Sequence, residues 1–355
     1  MSETLSFPGL GLEFQVNPVI FQITDTWAIK WYGVIVTLAF VAAFIYIIKR
    51  SHSFGLDPDR VFDVILGAVI GGIVGARLYF VAFSWDTYRG SLASIFHIWE
   101  GGIAIYGGII GGLIVGIILC RVRRVKFLPM LDLAACGLIL GQAIGRWGNF
   151  INMEAFGTNT EARWGMTSPT IVRYLQYTQS RLAELGVIVD PTAPVHPTFF
   201  YESVWCLAGF LVLLWLTGRR RFDGQLAIFY AGWYGLGRAW IEGLRTDSLM
   251  LGAMRVSQVL AVLCVLASVV LTIWIFARIK RTGDPSFLQL YVNTPEGRAV
   301  VAGTFYTQGL AVAAEAAPVS GPAALRGAKR LAAVRLRHKE SPLRKQRPLR
   351  RMGSR

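Results

Sequence analysis

Three arginines lie inside apolar segments or at their ends: Arg77, Arg146 and Arg238. An ionised side chain at membrane depth costs about 3 kcal/mol even on mild scales, so it usually faces a bundle interior and serves function. The alternative is a side chain that extends from a helix end to the headgroups. Arg238, Glu242 and Arg245 follow i, i+4, i+7 spacing, which predicts one shared helical face. Because arginine binds phosphate through paired donors, these residues predict a site for an anionic phosphate such as a phospholipid headgroup.

The composition indicates which elements must position these arginines. The chain has 355 residues, of which 54% are hydrophobic and 16% charged, too little polar material to cover a soluble globule of this size. Apolar runs of roughly 20 residues, enough to cross a ~30 Å hydrocarbon core, recur along most of the chain. We predict an all-α integral membrane protein with about seven transmembrane helices. The predicted spans are Trp31–Ile48, Val61–Ser84, Ile103–Cys120, Leu128–Gly145, Thr198–Thr217, Gln225–Ile241 and Ser257–Ala277.

Connections rich in basic residues alternate with connections poorer in them. The basic ones carry Lys49, Arg50 and Arg60, then Arg121, Arg123, Arg124 and Lys126, then Arg219, Arg220 and Arg221. The positive-inside rule therefore predicts an N-terminus outside and a C-terminus in the cytoplasm, which agrees with an odd number of spans. This topology brings Arg77, Arg146 and Arg238 to the outer face.

The predicted membrane domain covers residues 1–280. Within it, the polar stretch from about residue 147 to 195, between the fourth and fifth helices, is too long for a turn and predicts a small outer-face subdomain. Residues 281–355 end in a basic stretch that carries much of the formal charge of +15. We expect a disordered cytoplasmic tail near anionic lipid, with no nucleic-acid partner. We expect no cofactor and no metal, since the four cysteines lie singly in apolar runs.

Glycines recur at every fourth position on three predicted spans. The sets are Gly67, Gly71 and Gly75, then Gly108, Gly112 and Gly116, then Gly137, Gly141 and Gly145. Small residues at this spacing let helix backbones approach closely. We therefore expect the second, third and fourth helices to pack against one another.

The segment Gly145–Gly157, GRWGNFINMEAFG, resembles the signature of the prolipoprotein diacylglyceryl transferase family. Further matches are WYG at 31–33, GARLYFV at 75–81, WEGGIAIYGG at 99–108, HPTFFYE at 196–202 and YGLGRAWIEGLR at 234–245. These motifs cover most of residues 29–275. They follow the family's order and lie on the membrane side that the charge pattern predicts.

The resemblance implies a multi-pass enzyme of the bacterial cytoplasmic (inner) membrane whose active site faces outward. Its reaction would transfer the diacylglyceryl group of phosphatidylglycerol to the thiol of the lipobox cysteine in a prolipoprotein signal peptide. A thioether forms and glycerol phosphate leaves, which begins lipoprotein maturation. The expected partners are phosphatidylglycerol, the prolipoprotein and membrane lipid.

The resemblance also implies roles for individual residues. Arg146 would bind the headgroup phosphate, and Glu154 would orient polar groups of that site. Arg238, with Glu242 as its partner, would stabilise charge on the departing phosphate. The other residues expected to bind substrate are Asn149, Gly157, Tyr32, Tyr234, Arg77 and His196.

The third predicted span departs from one version of the family pattern. Some members carry histidine in an FHGG motif, where it is a candidate base for the thiol, whereas this chain has Tyr106 in IYGG. An unperturbed tyrosine titrates near pH 10 and is a poor base, although cationic neighbours lower that value. His196 is the other candidate, and its alternative role is to begin the fifth span together with Pro197. The sequence leaves the base open between Tyr106 and His196.

Two other functions fit part of the pattern. An anion or lipid transporter would also gather arginines, but transporters usually bind near the midplane and often show paired repeats, and no repeat is evident in this sequence. An intramembrane hydrolase needs a nucleophile with a base in reach. Ser203 beside Glu202 is the one candidate for such a pair.

Overall fold

The computed structural model describes residues 2–24, 28–97, 101–246, 250–251, 254–282 and 288–307 of the chain. The helices are α1 Trp31–Arg50, α2 Pro58–Phe83, α3 Trp85–Tyr88, α4 Ile105–Val122, α5 Phe127–Asn152, α6 Pro169–Glu184, α7 Thr198–Thr217, α8 Gln225–Leu244, α9 Val256–Thr282 and α10 Pro295–Val301. The strands are β1 Glu3–Phe7, β2 Leu12–Val16, β3 Val19–Gln22, β4 Ala28–Lys30, β5 Met250–Leu251 and β6 Met254–Arg255.

Within the described residues, six helices are long and apolar enough to cross a membrane: α1, α2, α4, α5, α7 and α9. The helix at the sixth predicted span, α8, has 20 residues but is not among them. The predicted span Thr198–Thr217 coincides with α7. The fourth span was predicted to end at Gly145, but α5 continues to Asn152. Arg146 and Asn149 therefore lie inside a helix.

Helices α2 and α4 pack backbone against backbone, as the glycine spacing predicts. A Cβ atom on Gly75 would lie 2.5 Å from the Gly107 carbonyl oxygen and 2.8 Å from Gly111 Cα. A Cβ atom on Gly72 would lie 3.3 Å from the Gly108 carbonyl oxygen. Only glycine allows this approach, so the α2–α4 pair is fixed by small residues on both helices.

Helix α5 uses its glycines differently from the prediction. Gly137 lies against Ile47, where an added Cβ would come within 2.5 Å of the Ile47 Cδ1 atom, and Gly141 lies against Ala39 and Ala43. These contacts pair α5 with α1 rather than with α2 and α4. An added Cβ on Gly145 would meet nothing within 4 Å. The four-residue spacing correctly predicted a packing surface on α5, but the helix that packs against it is α1 and not α2 or α4.

The chain between α5 and α7 has a hydrophobic core of its own, formed around α6. Buried Met166, Ile171, Leu175 and Leu182 pack with Leu5 of β1. Strand β1 also pairs with this segment through the Ser6 and Thr167 backbones, with N–O distances of 2.9 Å in both directions. The fold is thus not purely helical, since three two-stranded antiparallel hairpins, β1–β2, β3–β4 and β5–β6, supplement the helices.

The basic connections contact one another at one end of the bundle. Arg60 donates to the Arg123 carbonyl at 2.7 Å, which joins the start of α2 to the end of α4. Arg220 donates to the Ser53 carbonyl at 2.8 Å, which joins the α7–α8 and α1–α2 connections. The three basic connections read from the sequence therefore share one side of the molecule. Asp132, buried in the first turns of α5, accepts from the Gly224 and Ala227 amides and so caps α8.

The packed part of the chain extends past the predicted boundary at residue 280. It continues to Gly303, because residues 288–303 dock on the basic connections. The Tyr291 amide donates to Asp223 at 2.7 Å, and Lys126 pairs with Glu296 at 3.1 Å. The predicted boundary at 280 therefore lies before the end of α9 at Thr282 and before these docked residues. The part of the tail from 308 to 355 lies outside the described residues.

We expect Gly75→Ala to lower the free energy of unfolding by about 1–3 kcal/mol, because the new methyl group collides with α4 backbone. Gly116→Ala is the matched control, since its Cβ would make an ordinary 3.7 Å contact with Ala68 Cβ. Thermal unfolding of the two purified variants in detergent checks this. Equal midpoints for both variants would contradict the packing described for α2 and α4.

Candidate active site

The signature segment begins in the last turns of α5 and continues into a strained turn after Asn152. Met153 at the C-cap has a φ of 52° and Ala155 a φ of 55°, both in the left-handed region that side chains other than glycine rarely adopt. Glu154 lies between them. Strain of this kind persists where surrounding contacts hold it, and it is frequent at functional sites.

Backbone hydrogen bonds join this turn to the segment before the start of α7 and to the end of α8. The Gly157 amide donates to the His196 carbonyl at 2.9 Å, and the Thr158 amide donates to the Leu244 carbonyl at 2.7 Å. A Cβ on Gly157 would lie 2.8 Å from His196 Cβ and 2.9 Å from the Leu244 oxygen. Gly157 is therefore needed for close approach, and it ties the ends of α5 and α8 to the start of α7.

Glu202 on α7 is the centre of the charged cluster. Its Oε1 atom accepts a short hydrogen bond from Arg146 on α5, and its Oε2 atom lies 3.3 Å from an Arg238 nitrogen on α8. The Tyr234 hydroxyl lies 3.4 Å from Oε1. One carboxylate thus holds two guanidinium groups from two other helices in fixed positions.

Arg238 has a second carboxylate partner one turn along its own helix. Its other terminal nitrogen lies 2.6 Å from Glu242 Oε2. The side chains of Glu202 and Glu242 are 4% and 2% exposed, so both carboxylates are removed from water, whereas the two arginines keep about a fifth of their surface. This confirms the inward i, i+4 pair that the sequence predicted.

A polar branch leads from Arg146 toward the strained turn. Arg146 reaches the Asn149 amide oxygen at 3.4 Å, and the Asn149 amide donates to Glu154 at 2.9 Å. Asn152 also approaches Glu154, at 3.4 Å. The structure thus connects most of the residues that the signature nominated.

Arg245 does not share the helical face predicted for it. Helix α8 ends at Leu244, and Arg245 has an extended backbone (φ −76°, ψ 146°) that pairs with Gly157. The predicted triad is therefore a pair, Arg238 and Glu242. The i+7 spacing failed because the helix ends before its last member.

Arg77 is not part of the cluster. Its guanidinium donates to the carbonyls of Ile95, Gly101, Gly102 and Ser94 at 2.7–2.8 Å and approaches the His97 carbonyl at 3.4 Å. A guanidinium has five N–H donors, so all of them are engaged with this one backbone segment. The prediction that Arg77 binds substrate is not supported, because no donor remains for a phosphate.

Three further predicted residues have no described contact with the cluster. Tyr32, the second residue of α1, packs its ring against Gly148. Tyr106 is the second residue of α4, and the described residues give its hydroxyl no hydrogen bond. The His196 Nδ1 atom lies 3.1 Å from the Tyr201 hydroxyl, which accepts from Trp164 at 2.6 Å. Burial lowers the pKa of His196, so its ring is neutral at pH 7.

Sequence reasoning missed the importance of Glu202. It was considered as the neighbour of Ser203 in the hydrolase alternative and was not nominated for the site. A carboxylate in that position was the available signal, since an ionised group at that depth requires a partner. The hydrolase alternative finds no support, because the Ser203 hydroxyl is buried and donates to the Ala143 carbonyl at 2.7 Å.

The fold and the site define a multi-pass helical membrane protein with two arginines held by one shared carboxylate. A family model described as prolipoprotein diacylglyceryl transferase matches residues 18–274. The chain belongs to this family and is a transferase, which confirms the resemblance seen in its motifs.

Individual relatives agree with the family match. A phosphatidylglycerol–prolipoprotein diacylglyceryl transferase of Listeria innocua is 39% identical over 261 residues, which are 73% of this chain and 90% of the relative. A protein of the same name from Acaryochloris marina is 43% identical over 249 residues, 70% and 86% of the two chains. One from Synechococcus elongatus is 40% identical over 280 residues, 77% and 92% of the two chains.

We expect Glu202→Ala to lower the free energy of unfolding by about 3–5 kcal/mol, because it leaves Arg146 and Arg238 buried without their shared counter-charge. Adding Arg146→Ala to that variant should cost less than the sum of the two single changes. Thermal unfolding in detergent measures all three variants. Glu184→Ala, an exposed site on α6, is the control. Strict additivity of the two changes would contradict the ion pair.

Proposed function

We propose that this protein transfers the diacylglyceryl group of phosphatidylglycerol to the lipobox cysteine thiol of a prolipoprotein. The observation that carries the proposal is the pair of arginines held by Glu202 from two different helices. The names of the relatives supply the two substrates. A phosphodiester is the anionic group that such a pair of guanidiniums suits.

The donors left over on each arginine support this role. Among the described residues, Arg146 uses one donor on Glu202 and one on Asn149. Arg238 donates one to Glu202 and forms an ion pair with Glu242, whose Oε2 atom accepts no hydrogen bond from the described residues. Since each guanidinium has five donors, at least three remain on each for phosphate oxygens. The carboxylates fix the direction of the guanidinium groups without exhausting them.

The reaction we propose is a substitution at the glyceryl carbon that carries the phosphate ester. The cysteine sulfur forms a C–S bond to this carbon while the C–O bond breaks, and the electron pair leaves on the phosphate oxygen. The thiol proton passes to a base. Glycerol phosphate departs with one more negative charge than the diester carried, and arginines fixed in advance stabilise that developing charge.

The membrane arrangement is part of the proposal. We infer seven spans, with α8 as the one whose polar residues are paired inside the bundle. The contacts among the basic connections support an N-terminus outside and a C-terminus in the cytoplasm. The arginine cluster then faces the outer side of the bacterial cytoplasmic membrane. The prolipoprotein signal peptide would reach the site from the membrane.

We expect Arg146→Ala and Arg238→Ala each to abolish transfer while membrane insertion stays intact. The purified protein in detergent is incubated with phosphatidylglycerol and a lipobox peptide, and the peptide mass and the released glycerol phosphate are followed. Arg173→Ala is the control, because Arg173 pairs with Glu3 in the α6 subdomain and should leave the rate unchanged. Full activity of either cluster variant would refute its role. Lipid binding by the wild-type protein without transfer would favour the transporter.

We expect Tyr106→Phe to reduce the rate by about 10²-fold or more, the usual contribution of a positioned acid or base. Its hydroxyl has no intramolecular partner among the described residues, whereas the His196 ring is engaged by Tyr201. His196→Asn should chiefly lower the unfolding midpoint, since it removes the ring whose Nδ1 atom lies 3.1 Å from the Tyr201 hydroxyl. The rates of both variants are measured from pH 5 to 9 in the same assay. A rate lost in His196→Asn and kept in Tyr106→Phe would assign the base to His196.

A further inference from the structure

Helices α7, α8 and α9 border a groove of about 610 Å3 at some distance from the arginine cluster. Helix α8 forms its floor. The walls are mainly apolar and aromatic, and they include Val212, Trp215, Ile228, Trp233, Val269 and Phe276. An apolar groove on a membrane-spanning surface is filled by hydrocarbon, because water gains nothing there.

The length of the groove corresponds to one leaflet. Along its floor it runs from Gln225 to Leu236, twelve residues, which span eleven steps or about 17 Å at the ~1.5 Å rise of a helix. Half of a ~30 Å hydrocarbon core is about 15 Å. One acyl chain, entering at the start of α8, therefore matches the groove in depth.

Basic side chains stand at the entrance of this groove. The Arg219 guanidinium lies over the Trp215 ring, 4.4 Å from its centroid, and the Arg221 guanidinium lies 5.9 Å from the Phe276 ring centroid. Both rings line the groove, and both arginines are exposed. Asp223, the acid next to them, accepts the Tyr291 amide through Oδ2. The entrance therefore carries net positive charge.

We propose that this groove binds an anionic phospholipid of the cytoplasmic leaflet, with one acyl chain against α8 and its phosphate against Arg219 and Arg221. Basic pockets between helices on the cytoplasmic side bind such headgroups. The assignment to that leaflet rests on the topology proposed above. The phosphate position is separate from the reaction site, because Gln225 and Arg238 are thirteen residues apart, about 20 Å along α8.

The test is native mass spectrometry of the full chain in detergent, titrated with dioleoyl phosphatidylserine and, in parallel, with dioleoyl phosphatidylcholine. We expect the wild-type protein to retain phosphatidylserine at about tenfold lower concentration. The double variant Arg219→Gln/Arg221→Gln should lose that preference. The control Lys49→Gln/Arg121→Gln removes the same charge from exposed residues of other basic connections and should keep it.

A second pair of variants tests the groove itself. Val269→Trp fills it and should weaken retention of both lipids several-fold, whereas Val270→Trp, one residue away on α9 and not among the lining residues, should not. Equal lipid retention by all variants would overturn the proposal. Transfer activity is measured separately on the same samples. If transfer fails while lipid retention follows the expected order, only the proposed transfer reaction is refuted. If retention fails while transfer proceeds, only the groove proposal is refuted.

Discussion

The site depends on the desolvation of one carboxylate. Glu202 is almost wholly removed from water, and an isolated ionised carboxylate in that position would be unstable by several kcal/mol. It is retained because Arg146 and Arg238 reach it from two other helices. The same contacts fix α5, α7 and α8 relative to one another at the end of the bundle where the signature turn lies. Stability and the proposed function therefore depend on one interaction, and the positions of the arginines follow from it.

A comparison of the three membrane-depth arginines explains why residue type alone does not define a site. Arg77 is as buried as a core residue, but its five donors are all engaged with backbone carbonyls, so it organises the chain before α4. Arg146 and Arg238 are held by carboxylates that engage only part of their donors. The number of donors that the fold leaves unused, rather than the charge, separates a structural arginine from one able to bind an anion.

Local patterns predicted much of the fold, and contacts between distant residues account for what was missed. The positions of the long helices and the pairing of Arg238 with Glu242 follow from patterns within a single helix, and they were predicted correctly, although α5 and α9 run past their predicted ends. The partner of the α5 glycines, Ile47 and Ala43 on α1, lies far away in sequence, and a repeat every fourth residue does not name its partner. Glu202 was undervalued for the same reason, since Arg146 is 56 residues away. The sequence analysis did not predict the hairpin β1–β2, because Leu5 of this hairpin is buried against Ile171 of α6, a residue far away in the sequence.

Helix α8 shows how polar residues shape a membrane bundle beyond their own site. Arg238 and Glu242 are paired inside the bundle, and α8 packs against both α7 and α9. The residues of α8 that line the groove, from Gln225 to Leu236, come from the other half of the helix, and most of them are apolar. Trp205 and Trp233 then lock α7 to α8 through reciprocal indole-to-carbonyl hydrogen bonds of 2.9 Å. An ionised side chain is costly in hydrocarbon unless it is paired. The charged residues of α8 are therefore paired inside the bundle, and its apolar residues are the ones that line the groove.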